Sequence, residues 1–134
     1  MLQSQISSKY YLGQWQIEGG SIIEIYPKDS LYFGKIIKRA DKPLSNFNGL
    51  DNKNADIRLR KRKLVGCDII MNLSLINGEL VDGTIYNADS GKTYDVKLWI
   101  EEDDPDRCYI RAYKAFLFKT FEAKRVTTKR IITP

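Results

Sequence analysis

The sequence predicts an all-β fold, a single eight-stranded antiparallel up-and-down barrel, from two hairpin turns and a succession of short alternating segments. The first turn is Asn77-Gly78, because these residues readily take the positive φ that a two-residue type I′ loop requires at both positions. The second turn covers 87–91, where Gly91 suits a left-handed exit. Closing eight short strands into a barrel leaves no exposed sheet edge. A two-sheet sandwich is the competing arrangement.

Strands 1–3 are predicted in the first third of the chain, where apolar and polar residues alternate. They cover residues 11–17, 21–26 and 31–39. A polar excursion follows at 40–63. Its second half, 54–60, is predicted to form one or two helical turns capped by Asn54. The fold therefore carries a short helix or irregular excursion between strands 3 and 4.

Strands 4–8 follow the excursion and complete the predicted barrel. They cover residues 64–75, 80–86, 92–100, 107–113 and 119–126. Strand 4 alternates most regularly, and one of its faces is formed by Val65, Cys67, Ile69, Met71, Leu73 and Leu75. Strand 6 places four apolar residues on one face, namely Tyr94, Val96, Leu98 and Ile100. The predicted divisions are a flexible N-terminal segment at 1–10, the barrel at 11–126 and a C-terminal tail at 127–134.

The net charge of +5 is concentrated in the segment 51–63, which holds six basic and two acidic residues. The rest of the chain has sixteen basic and fifteen acidic residues, so its net charge is only +1. Five cations of the segment form a predicted basic surface, namely Arg58, Arg60, Lys61, Arg62 and Lys63. A nucleic-acid-binding face usually carries a broader positive stripe. We therefore do not expect nucleic acid as a partner.

The chain contains no histidine. Histidine is the commonest general base and metal ligand, so its absence disfavours catalytic triads and most zinc and haem sites. Four carboxylates are candidates for acid–base work without histidine, namely Glu24, Asp82, Asp89 and Asp95. A turn position explains Asp89, and the others are placed to pair with lysine or arginine. The sequence therefore predicts a protein that is not an enzyme and holds no metal or cofactor.

The two cysteines, Cys67 and Cys108, fall within predicted strands and are expected to behave as small apolar side chains. A disulfide between them remains open, because sequence alone does not fix their separation. No stretch approaches the ~18 consecutive apolar residues of a membrane helix, so no membrane span is expected. The first nine residues also lack the apolar segment of a signal peptide.

Eight short motifs occur in a distinctive order along the chain. They are Gly13-Gln14-Trp15, Ile23-Glu24-Ile25-Tyr26, Gly34-Lys35-Ile36, Asp51-Asn52-Lys53-Asn54, Leu64-Val65-Gly66, Gly83-Thr84-Ile85-Tyr86, Gly91-Lys92-Thr93-Tyr94 and Ile110-Arg111. This set resembles a family of small bacterial exported proteins known as a domain of unknown function, over about residues 11–126. The resemblance implies a lipocalin-like β-barrel and a periplasmic or secreted location.

The chain departs from the family pattern at three places. Arg111-Ala112 stands where the family usually has Arg-Gly, and Ala88 stands where it has proline. In the last strand, Phe118-Lys119-Thr120 replaces Gly-Arg-Thr. A site formed by that terminal segment would therefore differ in this member.

Gly13 and Trp15 near the first strand, with Arg125 near the last, resemble the lipocalin pattern in which an arginine lies across a tryptophan. The resemblance implies that these three residues close the barrel. Cation–π contact and packing of the arginine stem would hold the first and last strands together.

A barrel of eight strands is just wide enough to be filled by its own side chains or to hold one small ligand. Amphipathic rings and one cation make up the predicted ligand-binding set, namely Tyr86, Tyr94, Trp99, Arg111 and Tyr113. The alternative is that the rings fill the core and that Arg111 pairs with Asp82 or Asp95.

The predicted function is a non-enzymatic lipocalin-like module that binds a small hydrophobic or amphipathic ligand. The alternative is a cell-envelope protein-interaction module that uses the basic surface and has no small-molecule ligand. In both cases we expect a monomer or a weak dimer.

Overall fold

Eight antiparallel strands close into a barrel in the computed structural model, which describes residues 5–40, 46 and 48–127. The strands are β1 (Gly13–Ile17), β2 (Ile22–Lys28), β3 (Leu31–Lys38), β4 (Asp68–Ile76), β5 (Glu79–Asn87), β6 (Lys92–Trp99), β7 (Arg107–Lys114) and β8 (Leu117–Arg125). Each strand pairs with the next, and β8 pairs with β1. The predicted barrel is confirmed, and the sandwich is not formed.

The first and last strands meet in register at Trp15 and Arg125. The pairing continues through Gln16 with Lys124 and Ile17 with Ala123. Three aligned residue pairs close the tube, so neither β1 nor β8 has an unpaired edge along this stretch.

Both predicted hairpin turns are present. Asn77 and Gly78 have φ values of 46° and 80°, as a type I′ loop requires, and they join β4 to β5. Gly91 has a φ of 75° and ends the turn between β5 and β6. A Cβ atom on Gly91 would lie 2.0 Å from the carbonyl oxygen of Lys53. Glycine at this position therefore allows the turn to pack directly against the excursion.

One end of the barrel, here called the plugged end, is closed by side chains. It carries the β2–β3 and β4–β5 turns and the chain segment before β1. The side chains of Tyr11 and Trp15 are fully buried there, and Ile6 is 5% exposed. The Tyr11 hydroxyl donates to the Gly78 carbonyl at 2.5 Å, and Trp15 Nε1 donates to the Tyr11 carbonyl at 2.8 Å. These contacts fasten the segment before β1 to the barrel.

The same segment includes part of the predicted N-terminal segment at 1–10. Residues Ser8–Tyr10 form a 3₁₀ helix, and the flexibility expected for 1–10 remains a prediction. Its buried Ile6 belongs to the main hydrophobic cluster. At the other terminus, the expected tail at 127–134 lies outside the described residues except for Thr127.

The predicted face of strand 4 is only partly correct, because Leu73 of that face is buried but so is Ile70, which was not assigned to it. β4 begins at Asp68, and its fully buried residues are Ile70 and Leu73. Val65, assigned to the same face as Leu73, is 50% exposed and precedes the strand. Asn72 has a φ of 63°, and the pairing of β4 with β3 shifts in this region. One extra residue in a strand exchanges its two faces, which explains why strict alternation failed.

The predicted inward face of strand 6 is confirmed. Val96 and Leu98 are fully buried, and Ile100, just after β6, is 6% exposed. The solid core formed with these residues fills the half of the barrel near the plugged end. Its other fully buried side chains include Leu73, Leu80 and Cys108.

The excursion between β3 and β4 contains a single short 3₁₀ helix among its described residues, Ile57–Leu59. The predicted helical turn is therefore present, but its cap is Asp56 instead of Asn54. Asp56 Oδ1 accepts from the backbone N–H of Arg58 at 3.0 Å, while Asn54 Oδ1 accepts from that of Asp56 at 2.8 Å. Within the described ranges, no helix has the length and apolar character needed to cross a bilayer.

Candidate ligand-binding cavity

A cavity of about 870 Å³ occupies the half of the barrel opposite the plugged end. This open end carries the β1–β2, β5–β6 and β7–β8 turns. Six isoleucines contribute to the cavity wall, namely Ile17, Ile23, Ile36, Ile69, Ile85 and Ile110. The volume lies within the range of roughly 300–1,000 Å³ typical of small-molecule sites, and the wall is predominantly apolar, as in such sites.

Polar groups are confined to a few positions around this wall. Tyr86 and Tyr94 contribute rings with hydroxyl groups, and charged residues of both signs line the cavity. These are Glu18, Asp89, Lys114 and Lys119. An apolar interior with mixed polar groups suits a ligand with an apolar body and one polar end.

The Tyr86 hydroxyl is already occupied by a protein partner. It donates to Asp51 Oδ1 at 2.6 Å, and Asp51 is fully buried. Burial raises the pKa of Tyr86 above its ordinary value, and this hydrogen bond to the carboxylate raises it further. The phenol therefore stays protonated, and Tyr86 offers the cavity a ring surface.

Asp51 also binds two side chains of its own segment. Arg62 Nε donates to Asp51 Oδ2 at 2.9 Å, and Asn54 Nδ2 donates to the same oxygen at 2.7 Å. We call Asp51, Asn54, Arg62 and Tyr86 the Asp51 clamp. Since three donors meet one buried carboxylate, the clamp satisfies its charge and ties the excursion to β5.

Further contacts hold the excursion against the β5–β6 turn. Asn46 Nδ2 donates to the Ala88 carbonyl at 2.9 Å, and the backbone N–H of Asn52 donates to Asn46 Oδ1 at 3.1 Å. Together with the close approach of Gly91 to Lys53, these bonds fix one side of the cavity mouth.

Three of the predicted ligand-binding residues, Tyr86, Tyr94 and Tyr113, line the cavity. Their contact with a ligand remains a prediction. The other two, Trp99 and Arg111, do not belong to the lining. Strand alternation explains their placement, because their neighbours Leu98 and Ile110 point into the core and these two side chains therefore point outward.

Trp99 and Arg111 instead form part of a cluster on the outer face of β6, β7 and β8. The rings of Trp99 and Tyr109 stack with centroids 5.2 Å apart. The Arg111 guanidinium carbon lies 4.9 Å from the Trp99 centroid and 4.5 Å from that of Phe118. Arg111 Nε donates to Thr120 Oγ1 at 2.9 Å, a partner different from the expected Asp82 or Asp95.

Three cations of the predicted basic surface already have partners within the protein. Arg58 pairs with Asp56 at 3.0 Å, and Arg60 Nε donates to the Asn54 carbonyl at 2.8 Å. Arg62 is half-buried by its ion pair with Asp51, so it belongs to the clamp and not to an open ledge. Lys61 and Lys63 are exposed.

Two of the three residues predicted for closure, Trp15 and Arg125, are in contact at the plugged end. The Arg125 guanidinium carbon lies 4.3 Å from the centroid of the Trp15 ring, and Gly13 begins β1 with a φ of 114°. Arg125 Nη2 donates to the carbonyls of Tyr10 at 2.7 Å and Pro105 at 2.9 Å.

Both cysteines are free thiols, with Cys67 half-buried and Cys108 fully buried. Cys67 lies just before β4, outside the strand in which it was predicted, and donates to the Lys63 carbonyl at 2.8 Å. Burial raises the pKa of the Cys108 thiol, so it remains neutral. Within the described parts of the chain, cysteine and acidic side chains form no group of three or more suited to a metal ion.

Sequence reasoning missed two parts of this end of the barrel. Asp51 was noted only within the motif 51–54, although a carboxylate followed by a cluster of arginines could have indicated a buried ion pair. The apolar run 115–118 was not singled out, and its uninterrupted apolar character was the available signal.

Comparison with known proteins finds a matching family and a solved structure of similar fold. Residues 13–125 match a family described as "Uncharacterized protein conserved in bacteria (DUF2147)". The solved structure of HP1028 from Helicobacter pylori, titled as belonging to the lipocalin family, is similar with a TM-score of 0.78 at 20% sequence identity. The match covers 95% of this chain and 88% of that one. At this identity the likeness shows the fold alone. None of the curated proteins matches the chain.

Proposed function

The chain belongs to the bacterial family DUF2147, and from that premise we propose that it is a non-enzymatic, lipocalin-like module that binds a small hydrophobic or amphipathic ligand. The observation that carries the proposal is the cavity of about 870 Å³ with its isoleucine-rich wall. A ligand that fills an apolar, solvent-connected cavity of this size removes a large apolar surface from water, which favours binding.

The depth of the cavity limits the apolar part of the ligand. The core is solid below Ile110, which is 1% exposed, while the cavity extends along β7 to Lys114. Four residue steps of a strand measure about 13 Å. The proposed ligand therefore has an apolar body of roughly this length, such as a medium-chain acyl group or a small ring system.

The head of the ligand would lie among the polar groups near the turns. Lys119 and Lys114 favour a carboxylate or phosphate there, while Glu18 and Asp89 oppose a strongly anionic group. Glu18 is partly engaged, because its Oε1 accepts from the backbone N–H of Glu122 at 2.7 Å. A ligand with a weakly acidic or hydroxylated head fits this balance best.

A non-enzymatic role is supported by the chemistry of the wall. The chain has no histidine, and the Tyr86 hydroxyl is committed to Asp51.

The family resemblance further supports a periplasmic or secreted location, where such a protein would bind an apolar molecule in water. Partial neutralisation of the basic surface makes the interaction-module alternative weaker. A monomer or weak dimer remains our expectation.

Titration of the purified protein with N-phenyl-1-naphthylamine, a neutral probe that fluoresces in apolar surroundings, tests the proposal. We expect saturable binding by the native chain. Substituting Ala112→Phe places a ring in the cavity wall and should weaken probe binding about tenfold or more, because the volume is filled.

The matched control is Ala55→Phe, which adds the same ring to an exposed position of the excursion and should leave probe affinity unchanged. Thermal melting establishes that both variants are folded. Equal probe binding by all three proteins, or no saturable binding by the native chain, would count against the proposal. Native mass spectrometry of protein purified from its own host then identifies the ligand.

A further inference from the structure

The tip of the β7–β8 hairpin exposes three consecutive apolar side chains. Phe116 is 98% exposed, Leu117 is 80% exposed and Phe118 is 65% exposed. Isolated exposed apolar residues are common on soluble proteins, but a run of three at a protruding turn indicates an interaction site. The turn is tight, with Ala115 at a φ of 54°, so its side chains project from the open end of the barrel.

Cations surround this tip. Lys114 and Lys119 flank it along the chain, and Lys97 and Arg111 lie on the neighbouring outer face. A shallow groove of about 340 Å³ places these last two cations beside apolar residues of the tip, including Leu117 and Phe118. The nearest acid in the strand pairing is Asp95, opposite Tyr113, while Glu18 and Asp89 lie on other turns of the mouth.

We propose that the β7–β8 tip docks on anionic phospholipid membranes, with Phe116, Leu117 and Phe118 in the interfacial layer and with Lys97 and Arg111 binding lipid phosphate. Apolar side chains next to lysine and arginine are the composition of surfaces that lie at a membrane interface. Anionic lipid attracts each such cation when it is within about a Debye length of the surface. Tyr113, which lines the same groove, adds an amphipathic ring of the kind enriched at this depth.

The position of the tip also links membrane docking to the cavity. This link rests on the proposed ligand-binding function. Leu117 and Phe118 line both the outer groove and the cavity. A docked barrel would therefore open its cavity onto the bilayer. An apolar molecule could then move between lipid and cavity without crossing water, which is the costly step for such a molecule.

Vesicle flotation of the full chain tests the docking. Phosphatidylcholine vesicles with phosphatidylglycerol should carry the native protein, vesicles of phosphatidylcholine alone should carry much less, and added salt should reduce binding. Phe116→Ser should lower partitioning about tenfold, because the ring leaves the interface. Lys97→Glu should lower it at least about fivefold, because an attraction becomes a repulsion.

Two control substitutions match these changes at the plugged end. Ile76→Ser removes an apolar side chain that is 56% exposed at the end of β4, and Lys28→Glu reverses an exposed charge at the end of β2. Both should leave vesicle binding unchanged. Equal flotation of all the variants, or no preference for anionic vesicles, would overturn the docking proposal.

Neither Phe116 nor Lys97 lines the cavity, so the two proposals can fail separately. Loss of vesicle binding by Phe116→Ser with unchanged binding of N-phenyl-1-naphthylamine supports docking as a separate property. A concentration-dependent dimer that this substitution abolishes, without vesicle binding by the native chain, would identify a second copy as the occupant and overturn the membrane proposal.

Discussion

The guanidinium of Arg125 joins parts of the barrel that are far apart in sequence. It lies over the Trp15 ring of β1, donates to the Tyr10 carbonyl before that strand, and donates to Pro105 and Asp106 in the β6–β7 connection. Planar geometry allows one side chain to serve all of these partners at once, which a lysine ammonium does not reproduce.

We therefore predict that Arg125→Lys lowers the free energy of unfolding by about 1–3 kcal/mol, since it loses the ring contact and at least one hydrogen bond. Urea denaturation followed by tryptophan fluorescence measures the change. Arg107→Lys is the control, because its ion pairs with Asp104 and Glu122 lie at the surface and should contribute less than about 1 kcal/mol. Similar losses in both variants would show that Arg125 has no special role in closure.

The sequence indicated the Trp15 and Arg125 pair but not its other partners. Two of those partners are carbonyl groups of Tyr10 and Pro105, and a carbonyl carries no signature of its position in the sequence. A similar limit applies to Arg111. The positive charge of Arg111 and the aromatic residues predicted near it suggested a ligand site. The alternation of β7 instead places Arg111 on the outer face.

The excursion between β3 and β4 depends on one buried carboxylate. Asp51 accepts from Asn54, Arg62 and Tyr86, and these bonds connect the excursion to the cavity wall. Asp51→Ala would leave the Tyr86 hydroxyl without its acceptor in a buried position. The half-buried Arg62 would also lose its counterion, although water can partly replace it.

We predict that Asp51→Ala lowers the free energy of unfolding by about 2–4 kcal/mol and makes residues 53–63 more susceptible to trypsin under native conditions. Denaturant titration and timed proteolysis with mass spectrometry measure these two effects. Asp56→Ala removes a surface pair with Arg58 instead and should cost about 1 kcal/mol or less. An Asp51→Ala protein as stable and as resistant as the native chain would refute a clamping role.

Turn chemistry predicted the order of the strands better than alternation predicted their faces. Asn77-Gly78 and Gly91 have local signatures that require little tertiary context. The bulge near Asn72 has no such signature, because the extra residue depends on how β4 packs against β3. Ile70 was therefore not assigned to the same face as Leu73, although both are buried and the strand itself was predicted.

Across the barrel, the two halves have different physical roles. The solid half near the plugged end contains Tyr11, Trp15 and Cys108, all fully buried, while the open half contains the cavity. The sequence predicted a barrel wide enough for either outcome. It could not predict that both occur in one molecule, because the division depends on which side chains meet across eight strands.

The buried ionisable groups predict how stability depends on pH. Burial raises the pKa of Tyr11, Tyr86 and Cys108, so the folded state favours their neutral forms. Ordinary pKa values in the unfolded chain are about 10 for tyrosine and about 8.5 for cysteine. The folded state therefore binds more protons than the unfolded state above about pH 9, and stability decreases as pH rises from there.

We expect the free energy of unfolding to be nearly constant between about pH 5.5 and 8.5, because the chain has no histidine to titrate in this range. Above about pH 9 it should fall, with each buried group contributing up to about 1.4 kcal/mol per pH unit. Denaturant titrations across this range measure the slope. In Tyr86→Phe the alkaline slope should be shallower, since one titrating phenol is gone, even though the variant is less stable at neutral pH. An unchanged slope would mean that this phenol is not kept neutral by the fold. In that case its bond to Asp51 could not hold the excursion beside the cavity.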